Sequence, residues 1–582
     1  MKLKLTNLRV TLLAILITVC LTSAGYTYKE VMVPCKDGTK LMAHIYLPDG
    51  EGPWPVVCTR TPYNFNWQGD QNEEGRQYAQ RGIGYIIQDC RGKGGSEGVF
   101  VPNVNERSDG IDFYCWLQDQ PWVKSAAIFG SSYVALTCWL VADCLPEKVK
   151  GIYLSHYGVD RYVSCFHSGL FRQDIMSGWL ISNCTENIKR PEKKPGQKEG
   201  EENYDFYRYM PHVEADEAVL GMKIPYYRDW ITHTDHDDPY WDTDVWGDLK
   251  RISPRIKLPM TIVAGQFDHH EEGTLLGYEW LSDETKAKSR LVLGSWNHFF
   301  YSTPTHVPNS HAMDIKVAED QFNWFYSLLV KEEEPKAEIL AYNIEADEWM
   351  NLDSWPIEPN SRQRLYLSAQ TSLTDTNARA MTSQTQTEES TIRFTYDPKN
   401  PVFSIGGETV FTSIRRLGSQ LQPQTGYRDD VISFISEPLS HDITIAGNIR
   451  IMLSVSTDCD DTSFAITLSE LEPDGKAYNM RTSIATLGYR DGSLGSRKIY
   501  QPGSRVMLPL ECQSIVWTVK AGKRLRLDVK SSDFPQFAIH SNYAGVWAEN
   551  GKTRLAHQTI YVGGNQGSYI ELPCIRNSVD RR

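Results

Sequence analysis

The chain has 582 residues, 41% of them hydrophobic and 23% charged, and a formal net charge of −13. That length exceeds what one hydrophobic core organises, so two or three domains are expected, and the composition is that of a globular chain. An acidic balance with no basic stripe argues against nucleic acid as a partner.

The first 24 residues have the layout of an export signal. Lys2, Lys4 and Arg9 precede the apolar run Val10 to Leu21, and Thr22-Ser23-Ala24 offers small residues for cleavage near Ala24. The run is short for a membrane span, and no later run approaches that length. Cys20 admits a lipoprotein reading, but Val19 before it is bulkier than such sites accept. The expected destination is therefore periplasmic or secreted, without an anchor. The twelve cysteines include no C-x-x-C pair, so neither a zinc nor a redox motif is indicated.

Strands are predicted at 29–33, 41–46, 53–59 and 84–89, and a helix over 109–117. The glycine-rich stretch Asp89-Cys-Arg-Gly-Lys-Gly-Gly-Ser-Glu-Gly98 lacks both the spacing of a phosphate-binding loop and a following helix. Next comes a short buried strand, Ala126 to Phe129, then the turn Gly130-Ser-Ser-Tyr-Val-Ala135, then an apolar helix from Tyr133 to about Asp143. Strand, sharp turn and buried helix around Ser132 form the layout of a nucleophile elbow, with Val134 where a second glycine is customary. Alternation of strands and helices predicts a mostly parallel sheet covered on both faces.

Residues 159–251 are rich in Tyr, Trp, Asp and His with little strand character, and read as a helical cap inserted into the sheet domain. The sheet pattern resumes over 252–335, with strands at 258–264 and 289–294 and helices at 274–281 and 317–331. From residue 336 to the end, short alternating stretches, beginning with Ile339-Leu-Ala-Tyr342, predict a separate antiparallel sandwich.

A serine nucleophile needs a base and an orienting carboxylate, in the chain order Ser, acid, His for this type of elbow. Asp268 and His298 each fall a few residues past a predicted strand, and complete that order with Ser132. His269 and His270 compete as the base, but neighbours on one loop seldom point back at each other. His233, His236, His269, His270 and Glu271 contain metal-ligating side chains, yet no zinc-binding spacing fixes them, so neither a metal nor a cofactor is expected.

Several stretches together resemble the cocaine esterase / NonD family of serine hydrolases, akin to α-amino-acid ester hydrolases and Xaa-Pro dipeptidyl-peptidases. They are Thr59-Arg-Thr-Pro-Tyr-Asn64, Ile87 to Gly98, Trp116-Leu-Gln-Asp-Gln-Pro-Trp122, Gly130-Ser-Ser-Tyr133, Gly265-Gln-Phe-Asp268, Gly294-Ser-Trp-Asn-His298, Pro438-Leu-Ser-His-Asp442 and Ser531-Ser-Asp-Phe-Pro535. In this family the second glycine of the elbow falls at Ala135. The resemblance implies an α/β fold: an α/β-hydrolase core with a helical cap and a C-terminal all-β jelly-roll domain. It also implies Ser132, Asp268 and His298 as a triad, and an oxyanion hole from the Tyr133 backbone N–H and the Tyr63 phenol. The implied substrate is a small ester or amide. The alternative is a substrate with a free N-terminal amine, whose ammonium is held in relatives by a carboxylate cluster. Here Glu271, Glu272 and Asp205 are the acidic candidates, Ser164 stands where an acidic residue is otherwise expected, and Phe166 is a candidate apolar contact. A catalytically silent, carbohydrate-binding version of the fold is a third reading.

Overall fold

The computed structural model describes residues 22–23, 25–63, 72–183, 188–198, 200–408, 417–492 and 494–575. The expected leader lies outside the described residues except for Thr22 and Ser23, which pair with Thr27 and Tyr26.

Two large sheets organise the chain. The first runs, in spatial order, Tyr26–Pro34, Lys40–Pro48, Gly84–Asp89, Trp54–Thr61, Val123–Ser131, Val149–Ser155, Met260–Phe267, Arg290–Asn297, Glu338–Asn343 and Glu348–Asn351. From Gly84–Asp89 to Glu338–Asn343 every pairing is parallel. These central strands are buried along nearly their whole length, as a sheet covered on both faces requires. One face packs against the helices Glu106–Gln118, Tyr133–Trp139 and Glu271–Glu279, the other against Glu73–Gln80 and Val317–Phe325.

The glycine-rich loop satisfies itself. The Gly95 N–H donates to Asp89 Oδ2 at 2.9 Å, and Arg91 is ion-paired to Asp109 and Asp37.

The insertion between Ser155 and Met260 carries the helices Arg161–Cys165, Gln173–Asn183, Ala215–Leu220, Pro225–Thr232 and Asp244–Ile252. It also holds a two-stranded hairpin, Phe166–His167 with Leu170–Phe171, that the sequence pattern did not reveal. Its core is aromatic: Phe166, Phe171, Tyr227, Trp230 and Trp241 are all buried.

The second sheet is almost entirely antiparallel and begins at Ser361–Thr371. Here the structure corrects an expectation. Ile339 to Tyr342 reads as the first strand of the sandwich, yet it extends the first sheet, parallel to Arg290–Asn297. A short alternating stretch has no local signal for its partner, because register and neighbour are set by the chain around it. The two sheets are also stitched together. Ile344 N–H donates to Val516 O at 2.9 Å, Thr518 N–H to Ile344 O at 3.0 Å, and Phe267 is buried within the core of the sandwich.

Candidate active site

Four parallel strands end on one edge of the first sheet, and the residue after each is chemically notable. Ser132 follows Val123–Ser131, His156 follows Val149–Ser155, Asp268 follows Met260–Phe267, and His298 follows Arg290–Asn297. The carboxyl edge of an open parallel sheet is where such folds collect functional groups.

Ser132 has φ +57° and ψ −133°, a backbone state that costs a non-glycine residue roughly 1–3 kcal/mol. The surroundings enforce it. The Ser132 N–H donates to Ser155 O at 3.1 Å, while Ser132 O accepts from Ala135 N at 2.8 Å. Gly130 is obligatory, because a Cβ there would lie 2.4 Å from the Val134 carbonyl carbon. Ala135 is fully buried, so its methyl fills the space against the sheet. The helix after the turn, Tyr133–Trp139, is shorter than the expected run to Asp143. As its first residue, Tyr133 has an N–H with no intrahelical acceptor.

The Tyr133 side chain anchors the turn from below. Its hydroxyl donates to Glu106 Oε1 at 3.0 Å and accepts from the Asn103 N–H at 2.7 Å. Glu106 is in turn paired with the buried Arg60 at 3.3 Å. The Tyr133 ring stacks on Trp179 at 5.5 Å, and the Trp179 indole N–H donates to Tyr63 Oη at 3.3 Å. A cap residue thus reaches the phenol that stands two residues past the strand Trp54–Thr61.

Asp268 and His298 meet directly. His298 Nδ1 lies 2.6 Å from Asp268 Oδ2, and the other carboxylate oxygen accepts the His270 backbone N–H at 2.5 Å. Burial pushes the Asp268 carboxyl up, but the imidazoles of His298, His156 and His269 outweigh it and hold the group well below the usual carboxylate range. An ionised carboxylate at that distance fixes the His298 proton on Nδ1, leaving Nε2 as the basic nitrogen.

His156 escaped the sequence reading. Its ring is fully buried, with Nδ1 3.1 Å from His298 O and 3.4 Å from Asp268 Oδ2. The available signal was positional: it stands one residue past a strand, on the same edge as the others.

The remaining candidates lie elsewhere. His233 and His236 bond to Asp238 and Asp160, each at 2.9 Å, and do not join His269 and His270. Glu271 is fully buried and ion-paired to Arg481 at 3.0 Å. Glu272 stands 3.6 Å from Arg172, with burial pushing its carboxyl up to about 7. It lines a cleft of about 590 Å³ between the helix Glu271–Glu279 and the sandwich, whose walls include none of Ser132, Asp268, His298 or Tyr63. Phe166 is 1% exposed, packed against Tyr162, Phe171 and Trp241. Asp205 pairs with Lys194 at the surface. The structure gathers Asp268 and His298, sets Ser132 and Tyr63 on the same edge, and turns Glu271, Glu272 and Phe166 to other partners.

Comparison with known proteins agrees with this architecture. Residues 37–300 match the family described as X-Pro dipeptidyl-peptidase (S15 family), and residues 330–571 match the X-Pro dipeptidyl-peptidase C-terminal non-catalytic domain. The chain is 27% identical to a cocaine esterase from Rhodococcus sp. (strain MB1 Bresler), over 94% of this chain and 98% of that one. Its fold is that of an α-amino acid ester hydrolase (TM-score 0.80, 22% identity, 94% and 96% of the two chains). It is likewise that of an aminopeptidase from a marine sediment Thaumarchaeota archaeon (TM-score 0.80, 20% identity, 98% and 99% of the two chains). With its α/β domain and strand-rich C-terminal domain, the chain belongs to the cocaine esterase / NonD family of serine hydrolases.

Proposed function

We propose that this hydrolase cleaves a small ester or amide through an acyl-enzyme, with Ser132 as nucleophile, His298 as general base and acid, and Asp268 as the orienting carboxylate. The observation that carries this reading is the 2.6 Å Asp268–His298 contact on the sheet edge that also bears the strained Ser132. His298 Nε2 takes the Ser132 proton as Oγ attacks the carbonyl carbon. Asp268 stabilises the imidazolium that forms. The Tyr63 O–H and the Tyr133 N–H donate to the oxyanion, each worth about 3 kcal/mol in comparable sites. His298 then protonates the leaving group, and a water that it deprotonates releases the acid.

The family matches also raise a second reading, release of dipeptides or hydrolysis of α-amino esters, which requires a carboxylate for the substrate ammonium. The occupation of Glu271 by Arg481, and the position of Glu272 in the interdomain cleft, favour the ester reading.

Labelling by a fluorophosphonate tests the nucleophile: Ser132→Ala is expected to abolish it, and persistent labelling would place the nucleophile elsewhere. A panel of acyl esters, α-amino esters with free and blocked amines, and Xaa-Pro amides tests the substrate class. A preference for free amines overturns the ester reading. We also read residues 1–24 as an export signal. N-terminal sequencing of the exported protein is expected to start near Gly25, and an intact Met1 in the cytoplasmic fraction contradicts it.

A further inference from the structure

We infer that His156 is a positioning residue for the hydrolytic site, holding the backbone of His298 beside the carboxylate of Asp268 through the proton on Nδ1, which bonds the first and faces the second. The inference rests on the assignment of Asp268 and His298 to the triad. Three observations carry it. First, Nδ1 is hydrogen-bonded to the His298 carbonyl oxygen at 3.1 Å and lies 3.4 Å from Asp268 Oδ2, so the nitrogen facing both must carry the hydrogen. Second, the ring is fixed. It is fully buried, lies near-parallel to Phe300 with centroids 4.3 Å apart, and sits on a residue held at φ +53°. Third, its Nε2 is buried with no partner among the described residues, so the polarity of this ring is used there at Nδ1 alone.

The charged or titratable groups facing the ring are Asp268 and His298. Burial holds His156 down to about 4, so it is neutral at working pH and carries a single proton. A neutral donor suits this place. A charged one would drain the carboxylate of its hold on His298, and an apolar side chain would leave the His298 carbonyl unanchored. The Nδ1–H dipole, 3.4 Å from Asp268 Oδ2, also tempers the basicity of the carboxylate toward the imidazolium.

Two substitutions separate donor position from bulk. His156→Asn puts an amide N–H near the place of Nδ1, whereas His156→Gln puts it near the place of Nε2. His156→Asn is expected to stay within about threefold of wild-type kcat, while His156→Gln loses about 10- to 100-fold in kcat with KM changed less than about twofold. Without the donor, Asp268 becomes the stronger partner for imidazolium. The acid limb of kcat/KM in His156→Gln therefore moves to higher pH, by about half a unit. Equal activity of the two variants, or an unmoved acid limb in an impaired His156→Gln, overturns the inference. Fluorophosphonate labelling of Ser132→Ala in parallel distinguishes the two levels. If that variant is still labelled, the triad assignment itself fails; if it is not, the result reflects on His156 alone.

Discussion

Arg481, on the sandwich strand Ala477–Thr486, and Glu271, at the start of the helix after Asp268, form an ion pair at 3.0 Å in which neither side chain is exposed to solvent. The same guanidinium donates to the Gln266 carbonyl, so its contacts bracket Asp268 in the sequence. Phe267, between them, lies within the sandwich core. The loop bearing Asp268 is thus held from the C-terminal domain.

Removing Arg481 strips the guanidinium from two buried carboxylates, Glu271 at 3.0 Å and Glu408 at 3.7 Å, and breaking such a buried pair typically costs about 3–5 kcal/mol. Arg481→Met is expected to lower the thermal midpoint and kcat together. Pairing it with Glu271→Gln removes one of the two orphaned carboxylates and is expected to recover part of the stability but less of the activity. Calorimetry and steady-state kinetics on the three variants check this. Full recovery of kcat in the double variant would show that the pair does not position Asp268.

Tyr63 and Trp179 form a second coupled pair. On the proposed role of Tyr63 as an oxyanion donor, Tyr63→Phe is expected to lower kcat by about 100-fold. Trp179→Phe keeps a ring against Tyr133 but loses the N–H that Tyr63 Oη accepts. It is expected to cost several-fold less, and to cost nothing further in a Tyr63→Phe background. Additive losses in the double-mutant cycle would mean that the two side chains act independently.

Gly130→Ala drives a methyl to 2.4 Å from the Val134 carbonyl carbon and is expected to abolish activity, by displacing the turn or preventing folding. Ala135→Gly opens only a methyl-sized gap and is expected to lower stability by about 1 kcal/mol, with kcat preserved. Chemical denaturation and kinetics on both variants separate the two effects.

Stability toward acid follows from three buried histidines. Burial lowers His156 and His212 to about 4 and His167 to about 3, each from 6.5. Between pH 6.5 and about 4 the unfolded chain therefore holds protons that the folded chain does not. Their contribution to stability falls as pH falls through that window, by about 1.4 kcal/mol per pH unit for each histidine fully titrating. Carboxylates that burial raises, such as Glu272 at about 7, act in the opposite sense, so the loss is read as a difference: the thermal midpoint of His212→Gln is expected to fall less between pH 7 and 4.5 than that of the wild type. Equal falls in the two proteins would contradict the burial of His212.

Much of the candidate site was legible because its signals are local. Gly130-Ser-Ser-Tyr133 lies between a buried strand and an apolar helix, and Asp268 and His298 each stand just past a strand. His156 has the same placement, but Ser155-His-Tyr157 carries no motif to set it apart. The fate of Glu271 was hidden for another reason: its partner is 210 residues away in sequence. Phe166 reads equally well as a pocket wall or a core ring, and only the packing of the cap decides for the core. Ile339 to Tyr342 reads as a sandwich strand, yet it lies one strand in from the edge of the first sheet, between Arg290–Asn297 and Glu348–Asn351, and so short a strand carries no local signal for its neighbours.

The seam that Arg481 closes bears on how such chains can be recombined. Val516 N–H donates to the Gln266 side-chain oxygen at 2.7 Å, and Ile344 is laddered to the same sandwich strand, so the boundary between the two sheets runs through backbone hydrogen bonds. A chimera that exchanges the C-terminal domain for that of a relative inherits a new wall for the Asp268 loop. Grafts that supply a guanidinium at the position of Arg481 and an apolar socket for Phe267 should keep turnover. Grafts chosen for surface compatibility alone should fold and yet hydrolyse slowly.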